Sequence, residues 1–243
     1  MAKFGLIGKN ISYSFSKAFF REKFKRESLP HTYENFDLDQ ISEFPKLLKQ
    51  NPLLKGLNIT IPYKESILPF LDAVAGEAQK IGAVNTIVFT ADNRLIGYNT
   101  DYIGFQQSLL PHLPLPQKKA LILGTGGASK AVAYALHLLE FDFQFVSRNP
   151  KENQLSYDQI DSQVVKDHFL IVNTTPLGTH PNTAQFPHIP YSALGSQHLL
   201  YDLVYNPAQT EFLGRGAEQG AKTLNGLPML HMQAEAAWNL WNP

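Results

Sequence analysis

The 243-residue chain contains no cysteine, which excludes disulfide staples, thiol nucleophiles and zinc-thiolate sites. It has no excess of either charge: 21 Lys and Arg balance 21 Asp and Glu. Without a basic footprint, nucleic acid is not an expected partner. Long apolar runs are also missing. Stretches such as Ala120-Leu121-Ile122-Leu123 fall far short of the roughly 20 residues that span a bilayer, so no membrane segment is expected. Lys3-Phe4-Gly5-Leu6-Ile7-Gly8 is too short for a secretory signal core and reads as a first strand, and the expected compartment is the cytoplasm. The histidines show no ligand-like spacing, so no metal is expected. A hydrophobic content of 44% suffices for the cores of two modest domains.

The most informative stretch present is Asn58-Ile59-Thr60-Ile61-Pro62-Tyr63-Lys64. Alternation of Ile59 and Ile61 with Asn58 and Thr60 predicts a half-buried strand, and Pro62 ends its ladder, so polar side chains gather at that end. A second short strand closes on Gly97-Tyr98-Asn99-Thr100-Asp101. Together the two segments supply an ammonium, a carboxylate and amides, a set suited to moving a proton at a small polyhydroxylated substrate. Around them the pattern predicts helices over 16–27, 42–50 and 72–80 and strands over 33–36 and 84–89. Asp92-Asn93 turns the chain into 94–99 as a hairpin. Ser14 or Ser16 is available to cap the first helix.

Pro111, Pro114 and Pro116 mark a domain boundary. Beyond it come an apolar strand over 119–123, a glycine turn Gly124-Thr125-Gly126-Gly127-Ala128-Ser129, a helix over 128–139 and a strand over 141–146. This order opens a doubly wound, mostly parallel α/β sheet. Further strands are expected over 169–172 and 199–204. Asn225-Gly226-Leu227-Pro228 precedes an aromatic-rich helix expected to return to the first domain. The predicted class is therefore α/β, with an N-terminal substrate domain of residues 1–106 completed by 227–243, and a Rossmann-like domain of residues 107–226. The glycines let the backbone approach a pyrophosphate at the helix N-terminus. Ser129 stands where the third glycine of the fingerprint usually sits. Where an NAD-binding sheet ends its second strand with an acid, this chain has Ser147-Arg148-Asn149, so NADP is expected over NAD.

With those residues in hand, the chain resembles shikimate dehydrogenases nearly end to end. The matching segments are Ser12-Tyr13-Ser14-Phe15-Ser16, residues 58–64, 82–86, 97–105, the Gly124 turn, residues 173–178, 201–205 and 226–233, in that order. The resemblance implies reversible NADPH-dependent reduction of 3-dehydroshikimate to shikimate. It implies Lys64 and Asp101 as the catalytic pair. Ser14 and Ser16, with Tyr205 nearby, would hold the substrate carboxylate, and Asn58, Thr60, Asn85 and Gln233 would bind the ring oxygens. Gly124, Gly126, Gly127, Ala128, Ser147, Arg148, Asn173, Thr174 and Gly226 would hold NADP. Lys17 stands where relatives often carry proline, and Ser147 and Asn149 replace the usual residues around the cofactor arginine. The rival activities are a quinate or dual quinate/shikimate dehydrogenase, and, outside catalysis, an NADP-binding sensor. The assembly expected is a monomer or a homodimer.

Overall fold

Alternation along the first strand decides the layering of the N-terminal sheet. Strand β1 (Lys3–Gly8) sends Phe4 and Leu6 into one apolar cluster and Ile7 into another, as a two-residue period requires. These positions come from a computed structural model that describes residues 1–12 and 14–242; Tyr13 of the serine motif and residue 243, the last of the C-terminal segment expected over 227–243, lie outside them. The chain divides into two compact units, Met1–Gly104 with His231–Pro243, and Phe105–Leu230.

After β1 come α1 (Phe15–Arg26), β2 (Thr32–Asp37), α2 (Phe44–Gln50), β3 (Leu54–Ile59), β4 (Ala73–Val74), α3 (Gly76–Ile81), β5 (Thr86–Phe89), β6 (Leu95–Tyr98) and α4 (Asp101–Leu109). The first sheet has the order β2-β1-β3-β5-β6-β4. Strand β1 runs parallel to β2 and β3, whereas β3–β5 and β5–β6 are antiparallel. The register places Leu6 opposite Asn58, Asn58 opposite Thr86, and Thr86 opposite Tyr98.

Two expectations are corrected here. The strand bearing Asn58 lies further upstream, ends at Ile59 and is buried on both faces, while Ile61 is 69% exposed. Strand β3 is central and, apart from exposed Lys55, buried along its length, and the alternation at its end was that of polar groups collecting at a strand terminus. Residues 72–80 are not one helix. Asp72 accepts the Leu95 amide at 2.7 Å, Ala73–Val74 pairs with β6, and helix starts only at Gly76.

The second unit comprises β7 (Lys119–Leu123), α5 (Gly127–Leu138), β8 (Asp142–Ser147), β9 (Gln154–Ser156), α6 (Ser162–Asp167), β10 (Leu170–Asn173), β11 (Leu199–Asp202), α7 (Glu211–Glu218) and β12 (Lys222–Leu224). Its sheet order is β12-β11-β10-β7-β8-β9, parallel throughout. That is the doubly wound arrangement, with its order reversing between β7 and β10, where such sheets bind ligands.

Helix α8 (Leu227–Trp241) completes the first unit's aromatic cluster. Trp241 stacks on Phe4 with centroids 4.8 Å apart, and its Nε1 donates to the Ile87 carbonyl at 3.0 Å. Buried Lys23 of α1 bridges Glu27 and Glu235 at 2.9 and 2.8 Å. Trp241→Ala removes the stacking and the indole bond together, and is expected to destabilise the fold by about 3 kcal/mol. Urea titration followed by Phe and Trp fluorescence checks this, and an unchanged midpoint would refute it.

Candidate active site

Burying a lysine amine demands a partner. The segment that carries Lys64 is pinned on both sides: Tyr63 is buried and donates its hydroxyl to the Leu38 carbonyl at 2.6 Å, and the Val84 amide donates to the Lys64 carbonyl at 2.8 Å. Lys64 Nζ then meets Asp101 Oδ2 at 2.6 Å, with side-chain exposures of 15% and 8%. Asp101 opens α4, where its backbone amide donates to Asn99 Oδ1 at 3.0 Å. Asn99 in turn anchors to the Ala83 carbonyl at 2.9 Å.

The other oxygen of Asp101 accepts from Asn85 Nδ2 at 2.9 Å. Asn85 Oδ1 is held by the Thr100 amide at 2.6 Å and by the Thr86 hydroxyl at 3.1 Å. Asn58 Nδ2 reaches Thr86 Oγ1 at 3.2 Å, directly across the sheet. Gln233 of α8 brings its Oε1 to 3.4 Å from Asn85 Nδ2. So Lys64, Asp101, Asn85, Asn58 and Gln233, expected together, share one hydrogen-bonded network. Asn99, one of the amides the second segment supplied, belongs to it as well, and so do Thr86, Thr100 and Tyr33, which were not singled out from the sequence. Their signal was weak, since β-branched and aromatic residues at strand positions read as sheet formers.

Thr60 stands just past β3, its amide bonded to the Ile7 carbonyl at 2.8 Å. Ser14 is the N-cap of α1, accepting the Lys17 amide at 3.4 Å. Ser16 does not cap the helix; its hydroxyl hydrogen-bonds that of Tyr33. Tyr205 is half-buried in the second unit, past β11.

In the second unit the glycine turn follows β7. Gly124 has φ +111°, and a Cβ there would meet Thr174 Oγ1 at 2.7 Å, so glycine is required twice over. Thr174 closes the approach by donating its hydroxyl to the Leu123 carbonyl at 2.7 Å. Gly126 faces open space, and no side chain caps α5, which starts at Gly127 and Ala128. The residues therefore fit a phosphate cradle, with room above the backbone and helix N–H groups beneath it. Ser129 is fully buried and donates back to the Gly126 carbonyl at 2.6 Å, so small size, not glycine itself, meets the packing requirement. After β8, Ser147 Oγ accepts the Asn149 amide at 3.2 Å, and Arg148 is exposed with no ion pair among the described residues. Gly226 packs on the Leu203 backbone, where any side chain would clash.

Asn173 is fully buried. Its Nδ2 donates to Asp202 Oδ1 at 2.9 Å, and its Oδ1 accepts the Thr175 amide and hydroxyl at 3.0 and 2.6 Å. Asp202 also takes the Val204 amide at 3.0 Å and the Thr210 hydroxyl at 2.6 Å. Among the described residues no group of three or more His, Asp or Glu side chains is arranged to hold a metal, and no helix is long and apolar enough to cross a membrane.

Residues 6–87 match the family model for the shikimate dehydrogenase substrate binding domain. A shikimate dehydrogenase (NADP(+)) of Clostridium botulinum is 42% identical over 248 residues, covering 98% of this chain and 95% of the relative. The chain belongs to the shikimate dehydrogenase family. A solved member, the shikimate 5-dehydrogenase of Thermus thermophilus in complex with NADP(H) and shikimate, is similar with TM-score 0.88 at 33% identity, covering 100% of this chain and 94% of that one. A quinate dehydrogenase of Corynebacterium glutamicum in complex with NAD is similar with TM-score 0.87 at 28% identity, covering 99% and 93%.

Desolvation pushes Asp202 up to about 6, against the lowering effect of its three donors. A carboxyl that holds its proton more tightly when folded adds stability that is full below its unfolded value, about 3.9, and is lost as pH rises through the folded one. Asp202→Asn, nearly isosteric and uncharged, is expected to gain on the native chain by on the order of 2–3 kcal/mol between about pH 4 and pH 7. Denaturant unfolding at both pH values measures the difference, and a pH-independent gap would refute the assignment.

Proposed function

We propose that this chain is an NADP-dependent oxidoreductase that interconverts 3-dehydroshikimate and shikimate, with Lys64 as the proton donor and acceptor. The observation that carries the reading is the 2.6 Å Lys64–Asp101 pair inside a buried set of amides and hydroxyls. NADPH, which the Gly124 turn and Arg148 would hold, would supply a hydride for the carbonyl carbon. As negative charge grows on the carbonyl oxygen, the Lys64 ammonium stabilises it and gives up a proton, leaving an alcohol and a neutral amine. In the reverse direction the amine takes the hydroxyl proton. Asp101 holds the amine in place and is itself held by Asn85.

Ser14 uses a lone pair to cap α1, which leaves its hydroxyl proton to donate to the substrate carboxylate. Asn58, Asn85 and Gln233 offer amide groups to the ring oxygens, where a missing partner is heavily penalised. Quinate carries one more hydroxyl on the carbon bearing its carboxylate, and crowding by Ser14 and Ser16 disfavours it. The intact Lys64–Asp101 pair argues against a sensor with a vestigial cleft.

For the cofactor, the turn at Gly124, Gly126, Gly127 and Ala128 supports pyrophosphate binding, with Thr174 closing the turn. Arg148 after β8, and the absence of an acid there, support a ribose 2′-phosphate. The named NADP(+) enzyme of Clostridium botulinum supports the same choice.

Loss of NADPH absorbance on adding 3-dehydroshikimate tests the reading directly, with quinate and NADP as the comparison for the rival substrate. Lys64→Ala is expected to lower kcat by at least about 100-fold with a much smaller change in KM; native-like turnover would reject Lys64 as the proton carrier. Arg148→Leu is expected to weaken NADPH binding about tenfold and leave NADH binding unchanged. Fluorescence titration of both reduced cofactors decides this, and equal losses would remove the 2′-phosphate assignment.

A further inference from the structure

Tyr33 sits in β2, 3% exposed and opposite Phe4 of β1. Its ring stacks on Phe20 with centroids 4.6 Å apart and planes 12° from parallel. Phenylalanine would serve that packing. The hydroxyl instead enters an aromatic cluster, where a polar atom costs free energy unless bonded. It donates to Asn58 Oδ1 at 2.7 Å and accepts from the Ser16 hydroxyl.

That bond settles the amide's orientation. With Oδ1 taking the phenol, Asn58 Nδ2 faces the Asn85 carbonyl at 3.3 Å and Thr86 Oγ1 at 3.2 Å. Both amide protons of Asn58 thus have partners, and what remains is a lone pair on Oδ1. From Thr86 the chain of bonds continues through Asn85 to Asp101 and Lys64. Burial pushes the Tyr33 phenol well above its ordinary value, so it stays a donor across the physiological range.

We propose that Tyr33 is a positioning residue for the reaction: its buried hydroxyl locks the Asn58 amide so that Asn58 presents only an acceptor to the ring substrate, and therefore reads a substrate hydroxyl and not the carbonyl. This rests on the dehydrogenase reading given above. Tyr33 touches neither substrate nor cofactor in this role, and acts through Asn58. Removing the phenol oxygen frees the amide to turn and leaves Oδ1 short of a partner, while the ring packing stays.

The test is a double-mutant cycle in kcat and KM on Tyr33→Phe, Asn58→Ala and the double variant. It is accompanied by the side-chain amide signal of Asn58 in 15N-labelled protein, assigned by its loss in Asn58→Ala. Tyr33→Phe is expected to raise KM for the ring substrate about tenfold, change kcat less than about threefold and leave KM for NADPH alone. With Ser16→Ala as the common background, which removes the hydroxyl that also bonds Tyr33, the same change on top of Asn58→Ala is expected to have less than about a twofold effect. The amide signal should broaden or split in Tyr33→Phe. Native KM, additive losses, or an unaltered amide signal would each overturn the proposal. A native chain inactive on 3-dehydroshikimate would instead reject the dehydrogenase reading, and the amide signal alone would still decide whether Tyr33 locks Asn58.

Discussion

A charged pair removed from water constrains everything around it. Lys64 and Asp101 are each mostly buried and meet at 2.6 Å, and an ammonium and a carboxylate in such a place lose hydration that their mutual attraction alone does not offset. The remaining lone pairs of the carboxylate must be met by donors that are themselves fixed. Asn85 meets one, and Asn85 is itself fixed by the Thr100 amide and the Thr86 hydroxyl at its oxygen and by the Tyr98 carbonyl at its backbone amide. Asn85 and Thr86 stand at the start of β5, Thr100 and Asp101 just past the end of β6, and Lys64 in the segment that follows β3, so the pair requires these three strand termini to lie in one neighbourhood. The antiparallel register that sets Asn58 against Thr86 and Thr86 against Tyr98 achieves this.

The second unit holds a carboxylate under different terms. Asp202 has no cation partner among the described residues; an amide, a hydroxyl and a backbone N–H surround it. Its charge is solvated by dipoles alone, which is why burial shifts it upward to about 6. Its work is architectural: through Asn173 it suspends the loop carrying Thr174 and Thr175 at the end of β10, beside the turn that follows β7. One carboxylate is held by a cation and an amide, the other by dipoles alone, in support of a loop.

How much of this was legible in the sequence follows from what each element needs. Strand β1, the parallel strand and helix around the glycine turn, and the helix after Gly226 carry strong apolar periodicity, and all appear where it places them within a residue or two. The short strands β9 and β12 lie at the two edges of their sheet, with little apolar pattern to announce them. Residues 72–80 read as one helix because a polar Asp72 and an apolar Ala73-Val74 pair fit a helix start as well as an edge strand, and only the Leu95 amide distinguishes them. Within the site, Lys64 and Asp101 were legible because their chemistry is rare in strand ends. Thr86 and Tyr33 were not, because their hydroxyls acquire meaning only from what the register places across from them.

Counting protons explains why a single network can serve both packing and recognition. A capping serine spends a lone pair on a helix amide and keeps its proton, so Ser14 closes α1 and still has a donor to offer an anion. Asn58 spends both protons on Thr86 and the Asn85 carbonyl and one lone pair on Tyr33, so it keeps only an acceptor. Lys64, as an ammonium with three N–H groups, commits one of them to Asp101. The structural bonds thus determine, residue by residue, which sign of hydrogen-bonding group each side chain has left. On the proposed reading, a ligand matched to that remainder would bring an anion toward Ser14, a hydroxyl toward Asn58 and an electron-rich oxygen toward Lys64. A polyhydroxylated ring acid with one reducible carbonyl meets all three demands, whereas a ring lacking the hydroxyl would leave the Asn58 acceptor buried and short of a donor.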